Sequence, residues 1–179
     1  MKEKKGALAR RDFMIATAAA GTAILSGCFS PGNDGWEFLT GDTAATLKAI
    51  CDRIVPADEF PSASEAGVLI YIDRQLTRHY RHHQKAYLAG LDQANRISRE
   101  RFGAALESVS PQQQLAVVAV LESHSSAFFE LVREHTLEGY YGSPRHGGNR
   151  DAVSWRMLGI DEPPLRGRAQ FDLRKGSPS

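Results

Sequence analysis

Between residues 41 and 138 apolar side chains recur every three or four positions, and no stretch alternates for long enough to make a strand. Leu47, Ile50 and Ile54 share one face and predict a first helix over about Asp42–Val55, capped by Thr40 or Asp42 and stopped by Pro56. Beyond the Ala57–Pro61 loop, Ser62-Ala63-Ser64-Glu65 has the form of a capping box. Leu69, Ile72 and Leu76 then predict a second helix running to about His79. A third, about Gln84–Arg101, should turn Leu88, Leu91 and Ile97 inward and end on Gly103. Ser110-Pro111-Gln112-Gln113 joins a capping serine, a proline where a missing N–H costs little, and a returning glutamine. It opens a fourth helix from Pro111 to about Ser123, with Leu115, Val118 and Leu121 inward. A fifth, about Ser126–Leu137, carries Phe128, Phe129, Leu131 and Val132 and should stop at Gly139. The expected fold is all-α: a compact bundle of about five helices, then a Gly-rich loop and a short C-terminal helix, with no substantial sheet.

The helical pattern breaks over Glu138–Gly159. This stretch holds five of the sixteen glycines, the Tyr140-Tyr141 pair, Trp155 and the basic residues Arg145, His146 and Arg150. Dense glycine implies sharp turns or close backbone approach, and loops carry function more often than cores do. Aromatic residues and arginine are enriched where proteins meet. Tyr140, Tyr141, Arg145, Asn149, Arg150 and Trp155 are therefore the candidate partner-contacting residues. Two placements of these side chains fit the sequence, against the core or against a partner.

The pattern also breaks at the N-terminus. Residues 2–11 are basic, and Ile15–Leu25 is an uncharged run about as long as a signal-peptide core but too short to cross a bilayer's ~30 Å interior. Arg10 and Arg11, followed by Phe13, resemble a twin-arginine export signal. Leu25-Ser26-Gly27-Cys28 resembles a lipobox, in which Cys28 would be acylated and anchor the protein to a membrane face. The alternative is ordinary cleavage that leaves Cys28 a free thiol. The chain then divides into a signal segment 1–27, a tether 28–40 ending on Trp36 and Phe38, a helical domain 41–160 and a tail 161–179. Localisation follows as periplasmic, reached by the twin-arginine route.

Composition narrows the function. With 179 residues, 42% hydrophobic and 24% charged, one globular domain with extensions is expected. The net charge of +1 divides into +3 over the first 27 residues and −2 over the rest, so the body offers no electrostatic footprint for nucleic acid. Cys51 is the only other cysteine; among Leu47, Ile50 and Ile54 it should pack as a small hydrophobe, the alternative being an intermolecular disulfide.

Searches for chemistry end without a site. There is no strand-borne GxGxxG, no P-loop, no CxxCH and no GxSxG. His79 and His83 lie four apart, but no carboxylate or cysteine stands at matching spacing, so no metal residues are assigned. Asp52, Asp58, Glu65 and Asp73 are more simply helix-dipole partners than a general acid–base pair. Arg145, His146 and Arg150 could clamp an anion, but no nucleophile or base stands beside them. No catalytic or cofactor-binding residue is assigned either.

Several segments in order resemble one family. They are Ile50–Asp58 (ICDRIVPAD), Glu65–Val68 with Ile72-Asp73, His135–Gly142 (HTLEGYYG), Gly147–Asp151 and Trp155. Together, over about Leu39–Gly159, they resemble the gluconate 2-dehydrogenase subunit 3 family, the small (gamma) subunits of flavin-dependent sugar and sugar-acid dehydrogenases. The resemblance implies a non-catalytic accessory subunit with no cofactor of its own. It would support maturation and twin-arginine co-export of a large subunit that carries FAD, and a multi-haem cytochrome c subunit can complete such complexes. The lipobox-like Cys28 is a departure from the family's common pattern. The other reading is a free-standing periplasmic lipoprotein that binds a partner or serves structurally.

Overall fold

The structure, a computed structural model, describes residues 35–160 apart from Ser125. Arg10, Arg11, Phe13, Cys28 and the 161–179 tail lie outside the described residues. Among those described, six α-helices and several short 3-10 turns form an all-α bundle with no strand.

Helix α1, Gly41–Ile54, is the hub: it packs against each of the next four helices. Its buried residues, Ala44, Thr46, Leu47, Ala49, Ile50, Cys51 and Asp52, extend well beyond one stripe, as a central helix requires. Thr40 caps it and exchanges side-chain-to-backbone hydrogen bonds with Thr43. Around it stand α2, Val68–Thr77; α3, Gln84–Phe102; α4, Pro111–His124; and α5, Ser126–Tyr141. A one-turn helix α6, Val153–Met157, follows the Gly-rich loop and leans on α5.

Three expectations are corrected. The Ser62 box forms, with Ser62 N–H donating to Glu65 Oε2 at 2.8 Å, but it opens only a turn. Gly67 then adopts a left-handed φ of 82°, and α2 starts one residue later. Leu88 and Leu115 are about half exposed instead of inward. The α3 face that packs is Tyr87, Gly90, Leu91, Ala94 and Ser98, and the α4 face is Val117, Val118 and Leu121. Finally, Gly139 does not end α5, which continues to Tyr141. A Cβ at Gly139 would stand 2.9 Å from the Tyr71 ring, so this glycine serves the close approach of α2 to α5, and turning is not its role.

Candidate functional site

The Gly-rich stretch is a strap laid over α2 and α5. After Tyr141 the chain makes two 3-10 turns, Pro144–His146 and Arg150–Ala152, before α6. Gly148 lies so close to the Gly139 carbonyl that no Cβ fits between them. Gly147 packs over Ile70 and Arg74 of α2, and its carbonyl approaches Gly67, where a Cβ would stand 2.8 Å away. The Arg150 amide donates to the Ala66 carbonyl at 2.8 Å.

Two of the candidate contact residues hold this strap from inside and have no surface to offer. Tyr140 is 2% exposed, and its hydroxyl donates to the Pro61 carbonyl at 2.8 Å. Asn149 is fully buried; its Nδ2 donates to the Gly142 carbonyl at 2.8 Å and its Oδ1 accepts from the Ser154 amide at 2.9 Å. Both are corrected from surface to core, because a buried hydroxyl or carboxamide must spend its hydrogen bonds on the chain around it. The other four stay on the outside. Tyr141, Arg145 and Arg150 are exposed, and Trp155 is half-buried with its indole N–H donating to the Tyr141 carbonyl at 2.8 Å. Leu158 and Ile160, both about half exposed, extend this face past Trp155. Sequence reasoning did not single out either, since two isolated apolar residues beyond a predicted loop carry no periodic signal.

The carboxylates also differ from their expected role. Asp52 sits in the last turn of α1, where a negative charge opposes the helix dipole. It is held by Lys48 Nζ at 2.6 Å and by the Ser64 amide and hydroxyl, each at 2.9 Å, so it caps the 62–67 turn. Asp73, in mid-α2 and nearly buried, accepts three successive amides: Glu37 at 2.7 Å, and Phe38 and Leu39 at 2.9 Å. Both carboxylates are used to hold the chain: Asp52 the 62–67 turn and Asp73 the segment before α1.

A second polar cluster lies where α2, α3 and α5 meet. Tyr71 and Tyr80 both donate to the Glu138 carboxylate, at 3.0 and 2.9 Å. Tyr80 stacks on His135 with centroids 4.1 Å apart, and the Tyr87 hydroxyl lies 2.9 Å from His135 Nδ1. Burial holds His135 down to about 4 and raises both Tyr80 and Tyr87. At neutral pH the imidazole is therefore uncharged and the phenols are protonated, which suits a packed network. Burial also pushes the Cys51 thiol up to about 12, with Thr136 Oγ1 3.3 Å from its sulfur. A fully buried, protonated thiol cannot reach another chain, so the intermolecular disulfide is set aside. Among the described residues no three His, Cys, Asp or Glu side chains converge as a metal site, the His79–His83 region included.

These features define a helical bundle whose C-terminal strap presents aromatic and basic side chains, with its polar interior used for holding backbone. The profile of the family described as gluconate 2-dehydrogenase subunit 3 matches residues 41–161, about two thirds of the chain. The chain belongs to that family, which is named for a subunit of a dehydrogenase complex. Comparisons with curated proteins and with solved structures gave no match.

Proposed function

We propose that this chain is the non-catalytic small subunit of a membrane-associated, flavin-dependent dehydrogenase of sugars or sugar acids. In this role it assists maturation and twin-arginine co-export of the large FAD-bearing subunit. The observation that carries the reading is the family match over residues 41–161. The exposed Tyr141, Arg145, Arg150 and Trp155 on a strap braced from within support it as the face for the large subunit, since rigid aromatic and arginine side chains make strong contact centres. Arg10, Arg11 and Phe13 supply the export signal, and Cys28 a lipid anchor. A cytochrome subunit with haem c takes the electrons onward.

Co-expression with a large flavoprotein subunit from the same genome tests the proposal. The large subunit should reach the periplasm and become active only when this chain is present, and replacing Arg10 and Arg11 together with lysine should hold both proteins in the cytoplasm. Cys28→Ser should move the complex from the membrane to the soluble fraction. Export of an active large subunit without this chain would rule the escort role out.

A further inference from the structure

We propose that the strap and α2 together form a cationic contact face for a carboxylate-rich patch on the large subunit. The inference rests on the partnership proposed above; it adds the chemistry of the face and a residue outside the strap, Arg74. The face is centred where the strap crosses α2. There the Gly147 carbonyl approaches Gly67 so closely that a Cβ on Gly67 would stand 2.8 Å from it. Arg150 Nη2 lies 3.8 Å from that same Cβ position, and Arg74 Nη1 lies 3.0 Å from where a Cβ on Gly147 would be. One guanidinium from each element is thus brought to a single crossing. Arg145 stands exposed two residues before Gly147.

These cations are not used by the chain. The ion pairs among the described residues take Lys48, Arg78, Arg96 and Arg133, and none involves Arg74, Arg145 or Arg150. The acids nearby in sequence are mostly engaged: Glu65 accepts the Ser62 amide and Asp73 accepts three amides. Asp151 is exposed on the strap. The crossing also lies at the N-terminal end of α2, which has no side-chain cap, so the helix dipole adds to the positive field. The backbone beneath is fixed before any partner arrives. Gly67 and Gly147 hold φ of 82° and 105°, and the Arg150 amide donates to the Ala66 carbonyl at 2.8 Å.

The kind of anion follows from what accompanies the arginines. Planar forks pair with carboxylates through two parallel N–H bonds. Charge-led docking on an anionic bilayer takes clusters of about four to eight Lys or Arg. Here three arginines stand with Asp151 among them. The same strap carries Tyr141 and Trp155, residue types concentrated where proteins meet. A protein surface rich in Asp and Glu is the occupant that fits.

The chain and the large subunit are co-expressed and purified, and their affinity is measured at about 0.05 and 0.5 M NaCl, conditions that span weak and strong screening. Affinity should fall at least about tenfold at the higher salt. Arg74→Glu and Arg150→Glu should each weaken binding about tenfold or more at low salt and flatten the salt response. Arg99→Glu, an equal charge change on the exposed side of α3, should do neither. Circular dichroism shows whether each variant is folded, and Arg74→Gln and Arg150→Gln carry the test if a reversal is not. Vesicles of phosphatidylglycerol are the second arm, with Cys28→Ser in every chain; binding to them should not depend on Arg74 or Arg150. A complex that forms with the same affinity at both salts, or that ignores both arginine variants, would overturn this inference and leave the partnership standing. So would arginine-dependent binding to the vesicles beside an unchanged complex. If the wild-type chain forms no complex at either salt, the partnership itself fails and this face with it.

Discussion

Irregular backbone flanks the helices in sequence on both sides, and each flank is held by one polar side chain of a different kind. At the N-terminal joint Asp73 gathers three amides from residues 37–39. In the C-terminal strap Asn149 donates to the Gly142 carbonyl and accepts from the Ser154 amide. Buried backbone groups outside helices have to find partners somewhere. The side chain present at each end matches what the backbone leaves over: three donors meet a group that only accepts, while one acceptor and one donor meet a group that does both. The reach differs as well. Asp73 acts across about 35 residues, so it ties the joint to the folded α2, whereas Asn149 works within seven residues and shapes the strap itself.

Exchanging the two chemistries is the most severe way to break this comparison. Asp73→Asn must present an amino group where an oxygen accepted, which orphans one amide and removes the charge from the others. A loss of about 3 kcal/mol in urea unfolding is expected. Asn149→Asp loses the donation to Gly142 and sets a carboxylate against that carbonyl, for a loss of about 2 kcal/mol. The two should also differ in acid. Protonating the carboxyl introduced by Asn149→Asp restores a donor, so that variant should recover part of its stability below about pH 4, and Asp73→Asn should not. A milder effect for Asp73→Asn than for Asn149→Asp would show that the matching of donors and acceptors is not what holds the ends.

The contrast also explains what was legible in the sequence. Thr40, Ser62 and Ser110 act on amides a few residues away, and each cap or capping box forms where the sequence places it. Helix existence and number follow from the same short-range patterns. What escaped depends on the partner surface. Gly139 is followed by a strap in sequence, yet in space it faces the Tyr71 ring, and a glycine's two uses look alike in one dimension. Leu88 and Leu115 fit the inward period, but Tyr87 and Val117 take the buried positions beside them, because neighbouring helices set the face that is covered. Of the candidate contact residues, Tyr140 and Asn149 proved internal, because each is held by backbone groups that the sequence does not place beside it.

The joint between α2 and α3 uses neither solution; it is held by rings, and acid should loosen it more gently. Tyr80 stacks on His135, which also meets Tyr87 from α3. Burial lowers His135 to about 4; Glu138, one turn along α5, opposes burial less strongly, and His83 and His82 push the same way as burial. An unfolded chain has a histidine near pH 6.5, so between these values it binds a proton that the folded protein refuses. The stability is whole above pH 6.5 and is lost as pH falls toward 4. A loss on the order of 1 kcal/mol is expected between pH 7 and 5.5. His135→Phe starts lower, since Tyr87 loses its partner, but its stability should be nearly flat over that interval. An unchanged slope in the variant would place the acid sensitivity elsewhere.

The smallest expected effect has the opposite sign and belongs to the strap alone. Asn149, Asp151 and Ala152 all have left-handed φ, at 44°, 56° and 53°. Asparagine and aspartate visit this region with some ease, but alanine has no side-chain group to compensate its Cβ clash of roughly 1–2 kcal/mol. Glycine adopts the region freely and gives back about 0.5–1 kcal/mol through its more flexible unfolded chain. Ala152→Gly should therefore stabilise the protein by about 0.5 kcal/mol, whereas the same change inside a helix, at Ala94 of α3, should destabilise it. Asn149 fixes the backbone on both sides of Ala152 through Gly142 and Ser154, so the strain is held in place by the very bonds that close the strap. If that is its origin, the gain from Ala152→Gly should shrink when Asn149 is replaced by aspartate, because a loosened strap lets alanine relax. Equal gains in both backgrounds would separate the strain from the Asn149 bonds.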